Sequence, residues 1–308
     1  MKIVYMGTPK FAIAPLDKLL KNNYNISAVV TAPDAPNGRG LQIHPSPIKS
    51  FATSKGLQVL QYDNLKNPDF INTLKEISPD IIIVVAFKIL PPEVYSLAKL
   101  GAFNLHASLL PAYRGAAPIN RAIINGETQT GVTTFFLQDK VDTGYIILQR
   151  SIDILSDDNY GTLYDKLSSL GADVTLETVK LIERGNVKTT FQDDSLASSA
   201  PKIFKQDCII NWEKESYKIF NLIRGLSPQP AAFTHLHNKS IKIYKAGMTD
   251  IRASKPAGTL LIKDEKLYVH CSDYLLEIFE LQIEGKKAST AVDFINGYHF
   301  KNDDVCFS

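Results

Sequence analysis

The segment 81–87, with the sequence IIIVVAF, constrains the fold of this chain more than any other feature. Its seven apolar residues are too few for a membrane span, which needs about 20. A run this short and rich in Val and Ile predicts a strand covered on both faces, which is typical of parallel sheets. Shorter strand patterns at KIVYM and ISAVVT flank a helical pattern, so strands and helices alternate. This alternation predicts a mainly parallel α/β fold, in which ligands bind beyond the carboxyl ends of the strands.

The secondary-structure pattern of the sequence changes after a polar segment, rich in Ser and Asp, that begins near residue 189. Beyond it, short β patterns such as SIKIYKAG, GTLLIK and KLYVHCS follow one another at regular spacing. Such spacing is typical of a small β-barrel. We therefore predict a first domain over 1–188, a linker over 189–207 and a β-barrel domain over 208–308.

The composition is that of an ordinary globular protein, with 308 residues of which 44% are hydrophobic and 21% charged. Three cysteines, Cys208, Cys271 and Cys306, lie far apart, and no CxxC or Cys/His cluster accompanies them. This pattern predicts neither a disulfide framework nor a metal site, and it fits a reducing cytoplasm. The start of the chain lacks the apolar stretch of a secretory signal, so we expect a cytoplasmic protein without a membrane segment.

The net charge of +2 is too small to indicate a nucleic-acid-binding protein by itself, but the charge is unevenly distributed. Residues 1–60 contain seven basic and two acidic side chains. Such a basic surface hints at a phosphate-bearing partner. An ordinary solvated lysine surface explains the same charge without any partner.

Asn104 and His106 stand two residues apart in the strand pattern AFNLHAS, so their side chains share one face. An amide and an imidazole side by side can both donate to one oxygen, which suits an oxyanion in acyl or formyl transfer. Asp142 follows in the glycine-flanked loop DKVDTG. A carboxylate beside His106 would hold the ring protonated or fix its tautomer, and could accept a proton from an attacking amine. The alternative is a pair of polar residues satisfied at a strand end, with Asp142 as a turn residue.

Two longer motifs, NLHASLLPAYRGAAPINRAI and GVTTFFLQDKVDTG, resemble the signature of the folate-dependent formyltransferases. The resemblance implies a Rossmann-like first domain with Asn104, His106 and Asp142 as its catalytic residues. It also implies that the loop Ser108, Leu109, Leu110 and Pro111 holds the tetrahydrofolate carrier. A third motif, AFKILPPEV, resembles another part of the folate pocket wall and brings Phe87 into that wall.

Within this family the chain is similar to the members that act on initiator methionyl-tRNA, on the motifs MGTPKFA, PDAPNGRG, SAPKIFKQDCIINW and GKKASTAVDFING. That similarity implies an OB-like C-terminal barrel and transfer of formyl from 10-formyltetrahydrofolate to the amino group of methionine on initiator tRNA. It places Arg39 in the loop that reads tRNA, where a guanidinium can contact base edges or phosphates. Lys49, Arg114 and Lys242 are further candidates for tRNA contacts, and we expect a monomer.

Three other interpretations deserve comparison. The tripeptide Asp142, Thr143, Gly144 also matches the aspartic-protease signature, but those enzymes need paired aspartates and a second motif is absent. A formyltransferase acting on a purine precursor or a nucleotide sugar stays open, as does a catalytically silent tRNA-binding protein on the same fold. A single formylation assay separates these possibilities.

Overall fold

The computed structural model of the protein describes residues 1–37, 42–237, 239–297 and 306–308. These residues pack into two compact units that interleave along the chain. The first unit comprises Met1–Ala116, Thr130–Ile152 and Tyr164–Ala200, and the second comprises Ala117–Gln129, Asp153–Leu163 and Pro201–Ser308. The contiguous boundaries inferred from sequence, 1–188, 189–207 and 208–308, stay a prediction.

The first unit is built on a sheet in which, among the described residues, seven strands lie in the order β5-β2-β1-β6-β7-β8-β9. Neighbouring strands from β5 to β7 run parallel, whereas β8 runs antiparallel to β7. A separate antiparallel pair is formed by β3 and β4. The strands are β1 Lys2–Gly7, β2 Asn25–Thr31, β3 Ala35–Asn37, β4 Gln42–His44, β5 Val59–Gln61, β6 Ile81–Val85, β7 Ala102–His106, β8 Gln129–Phe136 and β9 Ile146–Asp153. The predicted Rossmann-like α/β sheet is thereby confirmed.

Strand β6 forms the buried centre of this sheet. All of its five residues are buried, since β1 and β7 flank it and the hydrophobic core covers it. The predicted strand covered on both faces is confirmed. The strand ends two residues earlier than the apolar run, because Ala86 takes a φ of +48° and turns the chain.

Helices connect the strands, and several begin with proline. Pro47, Pro68 and Pro118 each occupy the first helical turn, where the missing N–H costs no hydrogen bond. The helices are α1 Ile13–Lys21, α2 Pro47–Ser54, α3 Pro68–Ile77, α4 Pro92–Tyr95, α5 Pro118–Ile124, α6 Tyr160–Glu183, α7 Ser216–Leu226 and α8 Ala291–Gly297. Across the described part of the chain, none of them has the length and apolar character to cross a membrane.

The second unit is built on an antiparallel sheet in the order β10-β11-β14-β13-β12, with β15 paired to β14. Its core contains Trp212, whose Nε1 donates to Thr234 Oγ1 at 3.0 Å, and the buried face of α7. The strands are β10 Ala232–Leu236, β11 Lys239–Arg252, β12 Leu260–Lys263, β13 Lys266–His270, β14 Tyr274–Ile283 and β15 Ser289–Thr290. The predicted succession of short strands in a separate unit is confirmed, whereas closure into a barrel is not.

Candidate functional site

The candidate site begins at the end of β7, which lies between β6 and β8. Asn104 pairs with Val84 on one side and with Phe135 on the other. Its side chain is half-buried, and within the described residues its amide has no hydrogen-bond partner. His106 points to the same face, because strand side chains alternate, and it is buried.

His106 is oriented by the backbone of the loop that follows it. Its Nε2 lies 2.9 Å from the carbonyl oxygen of Tyr113. Since a carbonyl oxygen only accepts, Nε2 carries the proton in the neutral ring. The opposite nitrogen, Nδ1, lies 4.0 Å from Asp142 Oδ2. The ring therefore presents its second nitrogen to the carboxylate.

Asp142 is held in place from two sides. Its Oδ2 accepts the backbone N–H of Gly115 at 2.9 Å, and its side chain is only 10% exposed. Its φ of +55° is a left-handed conformation that a non-glycine residue adopts only under constraint from its surroundings. The fold thus brings the carboxylate of Asp142 close to His106, which lies on the same strand as Asn104. Because the carboxylate is shielded from solvent, its charge acts more strongly on its neighbours.

Gly115 is required by geometry. Its φ is +123°, and a Cβ at this position would lie 2.7 Å from the carbonyl oxygen of Ala200. No side chain fits there, so only glycine allows the backbone N–H to reach Asp142. This role was not predicted from the sequence, although Gly115 stands inside the RGAAP motif.

Gln192 supports the Asp142 loop from the segment after α6. Its Nε2 donates to the carbonyl oxygens of Asp142 at 3.0 Å and of Gly144 at 2.8 Å. Its Oε1 accepts from Nε and Nη2 of Arg114 at 3.2 Å and 2.8 Å. The side chain is buried, although the sequence around it is polar and was predicted to be a linker. Sequence reasoning missed this residue because a hydrophobicity pattern does not reveal a buried amide.

The predicted tRNA-contacting residues have different environments. Arg114 directs its guanidinium to Gln192 and, at 2.8 Å, to Asp194. Lys242 is exposed on β11. Arg39 lies outside the described residues.

Lys49 is also engaged within the protein. Its Nζ donates to Asp34 Oδ2 at 2.6 Å and to Gln61 Oε1 at 2.7 Å. The hydrogen bond from Lys49, followed by one from Gln61, lowers the pKa of Asp34. As with Arg39, Arg114 and Lys242, a contact of Lys49 with tRNA stays a prediction.

The predicted folate loop is fixed by hydrogen bonds. Ser108 is fully buried and donates from Oγ to Ala112 O at 2.6 Å. Thr133 on β8 donates to Ser108 O at 2.6 Å and accepts the N–H of Leu110 at 3.1 Å. Gln149 on β9 donates to Leu110 O at 2.6 Å.

These bonds decide which parts of the loop a ligand can reach. Leu110 packs against Phe135 and Ile146, so its side chain and that of Ser108 face inwards. Leu109 and Pro111 keep partial exposure. A ligand at this loop therefore meets those two side chains.

A groove of about 350 Å³ adjoins the Asp142 loop. Phe87, Tyr95 and Leu137 all pack on the hydrophobic cluster behind it. The Tyr95 hydroxyl donates to Asp139 Oδ1 at 2.6 Å, and this hydrogen bond raises the pKa of Tyr95. The groove is lined by Tyr95, Leu137, Gln138, Asp139, Lys140 and Thr143. Within the described residues, no group of three or more His, Cys, Asp or Glu side chains is placed to hold a metal ion.

Comparison with protein families gives two successive matches. Residues 1–179 match the formyl transferase model, and residues 202–299 match the model of the formyl transferase C-terminal domain. Two relatives are methionyl-tRNA formyltransferases. The one from Flavobacterium johnsoniae is 46% identical and the one from Chlorobium chlorochromatii 47% identical, each over 98% of both chains.

Solved structures give the same fold. An N-formyltransferase from Helicobacter canadensis, in complex with folinic acid and dTDP-3-aminofucose, is similar with a TM-score of 0.68. The similarity covers 90% of this chain and 98% of that one, at 22% identity. A sugar 3N-formyl transferase, WlaRD, is similar with a TM-score of 0.67, at 22% identity over 93% of this chain and 99% of that one. At this identity the similarity establishes the fold and not the substrate.

Proposed function

This chain belongs to the formyl transferase family, and we propose that it transfers the formyl group of 10-formyltetrahydrofolate to the amino group of methionine on initiator tRNA. The observation that carries this proposal is the placement of a buried His106–Asp142 pair beside the unpartnered Asn104 amide within the described residues. Relatives of nearly half identity over nearly the whole chain carry the name methionyl-tRNA formyltransferase, which supports this acceptor.

Asn104 and His106 act on the oxygen of the formyl group. The donor supplies the formyl carbon and a nitrogen leaving group, and the amine of methionine attacks that carbon. Asn104 donates to the oxygen as it becomes negative. His106 has its Nε2–H committed to Tyr113, so it donates from Nδ1 in its charged form. The carboxylate of Asp142, 4.0 Å away, stabilises that positive charge by Coulomb attraction.

Asp142 also handles the proton of the amine. As the new C–N bond forms, the amine loses a proton, which Asp142 accepts directly or through one water. Because Asp142 Oδ2 lies 4.0 Å from His106 Nδ1, the carboxylate makes no direct hydrogen bond to the ring that the proton transfer would have to break. When the bond between the formyl carbon and the folate nitrogen breaks, the proton passes to that nitrogen. The products are tetrahydrofolate and formylmethionyl-tRNA, and no proton is gained or lost.

The donor binds where apolar side chains meet the Asp142 loop. Phe87, Leu109 and Pro111 supply partly exposed apolar surface, and the groove beside Asp139 supplies space. Ser108 and Leu110 keep the loop in shape from its inner side. This division of roles refines the expected folate contacts.

For tRNA, we infer that the C-terminal unit is an OB-like barrel that contacts the acceptor. Among the three candidates that lie in the described residues, Lys242 is the exposed one. Arg39, in the sequence motif PDAPNGRG and outside the described residues, is a further candidate, and Lys49 and Arg114 stay candidates beside their ion pairs. We propose that the protein acts as a monomer in the cytoplasm.

The test is incubation of the purified protein with 10-formyltetrahydrofolate and methionyl initiator tRNA. We expect released methionine to gain the mass of one CO, and free methionine, as the control acceptor, to gain none. Formylation of a nucleotide-linked amino sugar with none on the tRNA would reassign the acceptor. Binding of tRNA without formylation of any amine would indicate a silent member of the family.

A further inference from the structure

Gln192 makes every hydrogen bond that its side-chain amide allows. Its NH2 group gives one bond to each of two backbone carbonyls, Asp142 and Gly144, and its oxygen takes two from Arg114. Carbonyl oxygens only accept and a guanidinium only donates, so the amide has a single orientation that satisfies all four bonds. A carboxylate of the same shape would set an acceptor against both carbonyls.

The backbone that Gln192 holds is strained. Asp142 has a φ of +55°, a left-handed conformation that costs a non-glycine residue free energy and persists only where the surrounding structure enforces it. Gln192 holds its carbonyl and Gly115 its carboxylate. Together they fix both the peptide and the side chain that faces His106.

A second contact from the same segment orients His106. Ser198 Oγ accepts the N–H of Tyr113 at 2.9 Å, and the carbonyl of Tyr113 in turn receives His106 Nε2. Backbone bonds join the two stretches further, from Arg114 N to Ser198 O at 2.9 Å and from Ala200 N to Arg114 O at 2.7 Å. The segment 192–200 thus bonds the backbone of Asp142 directly, through Gln192, and reaches His106 through Tyr113.

We propose that Gln192 is a positioning residue for the formyl transfer, with Arg114 as its support, and that the segment 192–200 sets the geometry of His106 and Asp142. The inference rests on the proposed function, which it deepens. Gln192 is buried and does not line the groove, so it acts on turnover through Asp142 and not on substrate binding.

Two substitutions separate the hydrogen bonds that Gln192 makes to the Asp142 loop from those that it makes to Arg114. Gln192→Met keeps the length and approximate volume of the side chain and removes all four hydrogen bonds. Gln192→Glu keeps the acceptor for Arg114 but loses the donors to Asp142 and Gly144. We expect either change to lower kcat roughly 10- to 100-fold, because a misplaced catalytic group costs this much, while KM for both substrates stays within about twofold. Gln129→Met is the matched control, since Gln129 is exposed and, within the described residues, its side chain bonds only Asp153, at 3.3 Å.

The decisive experiment is a double-mutant cycle. In an Asp142→Ala background, Gln192→Met should cost no further kcat, because the group that Gln192 positions is gone. An equal loss of kcat in both backgrounds, or a Gln192→Met enzyme with the kcat of the wild type, overturns the proposal. Thermal midpoints measured in parallel show whether lost kcat reflects unfolding.

Hydrogen exchange distinguishes failure of this inference from failure of the proposed function. Amides in 139–146 should exchange faster in Gln192→Met than in the wild type, whether or not substrate is present. Inactivity of the wild type on methionyl-tRNA together with faster exchange would refute the proposed function and leave the positioning contact supported. Activity of the wild type with unchanged exchange in the variant would refute the positioning role alone.

Arg114→Met tests the support and bears on its predicted contact with tRNA. If Arg114 supports Gln192, Arg114→Met should lower kcat in the same Asp142-dependent way. The loss should be smaller than in Gln192→Met, because the bonds from Gln192 to Asp142 and Gly144 survive. An increase in KM for tRNA with an unchanged kcat would instead make Arg114 a tRNA contact and remove it from the network.

Discussion

His106 Nδ1 and Asp142 Oδ2 face each other at 4.0 Å, beyond the reach of a direct hydrogen bond. Each is anchored instead to a single short segment, His106 to the carbonyl of Tyr113 and Asp142 to the N–H of Gly115. The spacing of the pair is therefore set by the backbone of 113–115. A substrate atom or a water can therefore bond to either group without breaking a hydrogen bond between them.

Asn104→Ala should lower kcat on the order of 100-fold, the cost of losing one oxyanion donor. Because the Asn104 amide has no protein partner in the described part of the chain, the thermal midpoint should stay unchanged. Steady-state kinetics with both substrates and thermal unfolding check the two expectations. The matched control is Asn22→Ala at the end of α1, where the side-chain amide donates to Lys18 O. Near-normal turnover in Asn104→Ala would remove this residue from the catalytic set.

Asp142→Asn should lower kcat by a factor on the order of 100 or more, because the negative charge and the proton acceptor are both lost. The amide oxygen can still accept from Gly115, so the loop should keep its fold. Comparison of kcat and thermal midpoint with those of Asp153→Asn, an exposed position on β9, is the measurement. A variant that retains most of its turnover would contradict the role of the carboxylate.

Gly115→Ala should both destabilise the protein and slow turnover. The added Cβ meets Ala200 O at 2.7 Å and φ is +123°, so the segment must move, at a cost of about 1–3 kcal/mol. The movement also withdraws the N–H from Asp142. Gly56→Ala is the control, because Gly56 has a φ of +69° but open space around its Cβ, so only strain of about 1 kcal/mol is expected there. Denaturant unfolding measures the loss of stability in each variant, and steady-state kinetics measure kcat. An equal loss of stability in Gly115→Ala and Gly56→Ala would show that the predicted clash with Ala200 is absent.

His270 should make stability depend on pH. It is buried, and its Nδ1 accepts the N–H groups of Ser254 at 3.2 Å and Lys255 at 3.3 Å. Burial, followed by the charge of Lys255, lowers the pKa of His270. The unfolded state therefore binds more protons, and stability is lost as the pH falls from about 6.5, the unfolded value, through the folded value.

His270→Asn keeps an acceptor and removes the titration, so its thermal midpoint should fall less steeply below about pH 6.5. Thermal unfolding measured at steps of about one pH unit between about pH 5 and 8 gives this difference. Parallel curves for the two proteins would show that His270 does not couple to folding.

Lys242→Gln should raise KM for tRNA and reduce the slope of log affinity against log salt by about 1, the signature of one lost phosphate contact. The KM of the folate donor should not change. Lys218→Gln on α7 is the control, since Lys218 is exposed and bonds Glu215 at 3.0 Å. Equal effects of both substitutions would indicate general charge attraction in place of a contact at Lys242.

Local patterns in the sequence determined much of the scaffold. The apolar run predicts β6 because a short, continuous run of apolar residues is stable only where both faces are covered. Asn104 and His106 share a face because side chains alternate along any strand. The buried strand and the shared face both depend on residues that are neighbours along the chain, so both can be predicted from the sequence alone.

The tertiary structure decided which residues complete the site. Arg114 and Gln192 are 78 residues apart, and Gln192 and Asp142 are 50 apart. No pattern of spacing links such residues, because their contact depends on how β8, the Asp142 loop and the segment after α6 pack together. That segment was predicted as a linker because it is polar, yet its Gln192 is buried and fully hydrogen-bonded. Hydrophobic periodicity reports apolar burial, whereas a buried polar network exists only once its distant partners have been brought within bonding distance.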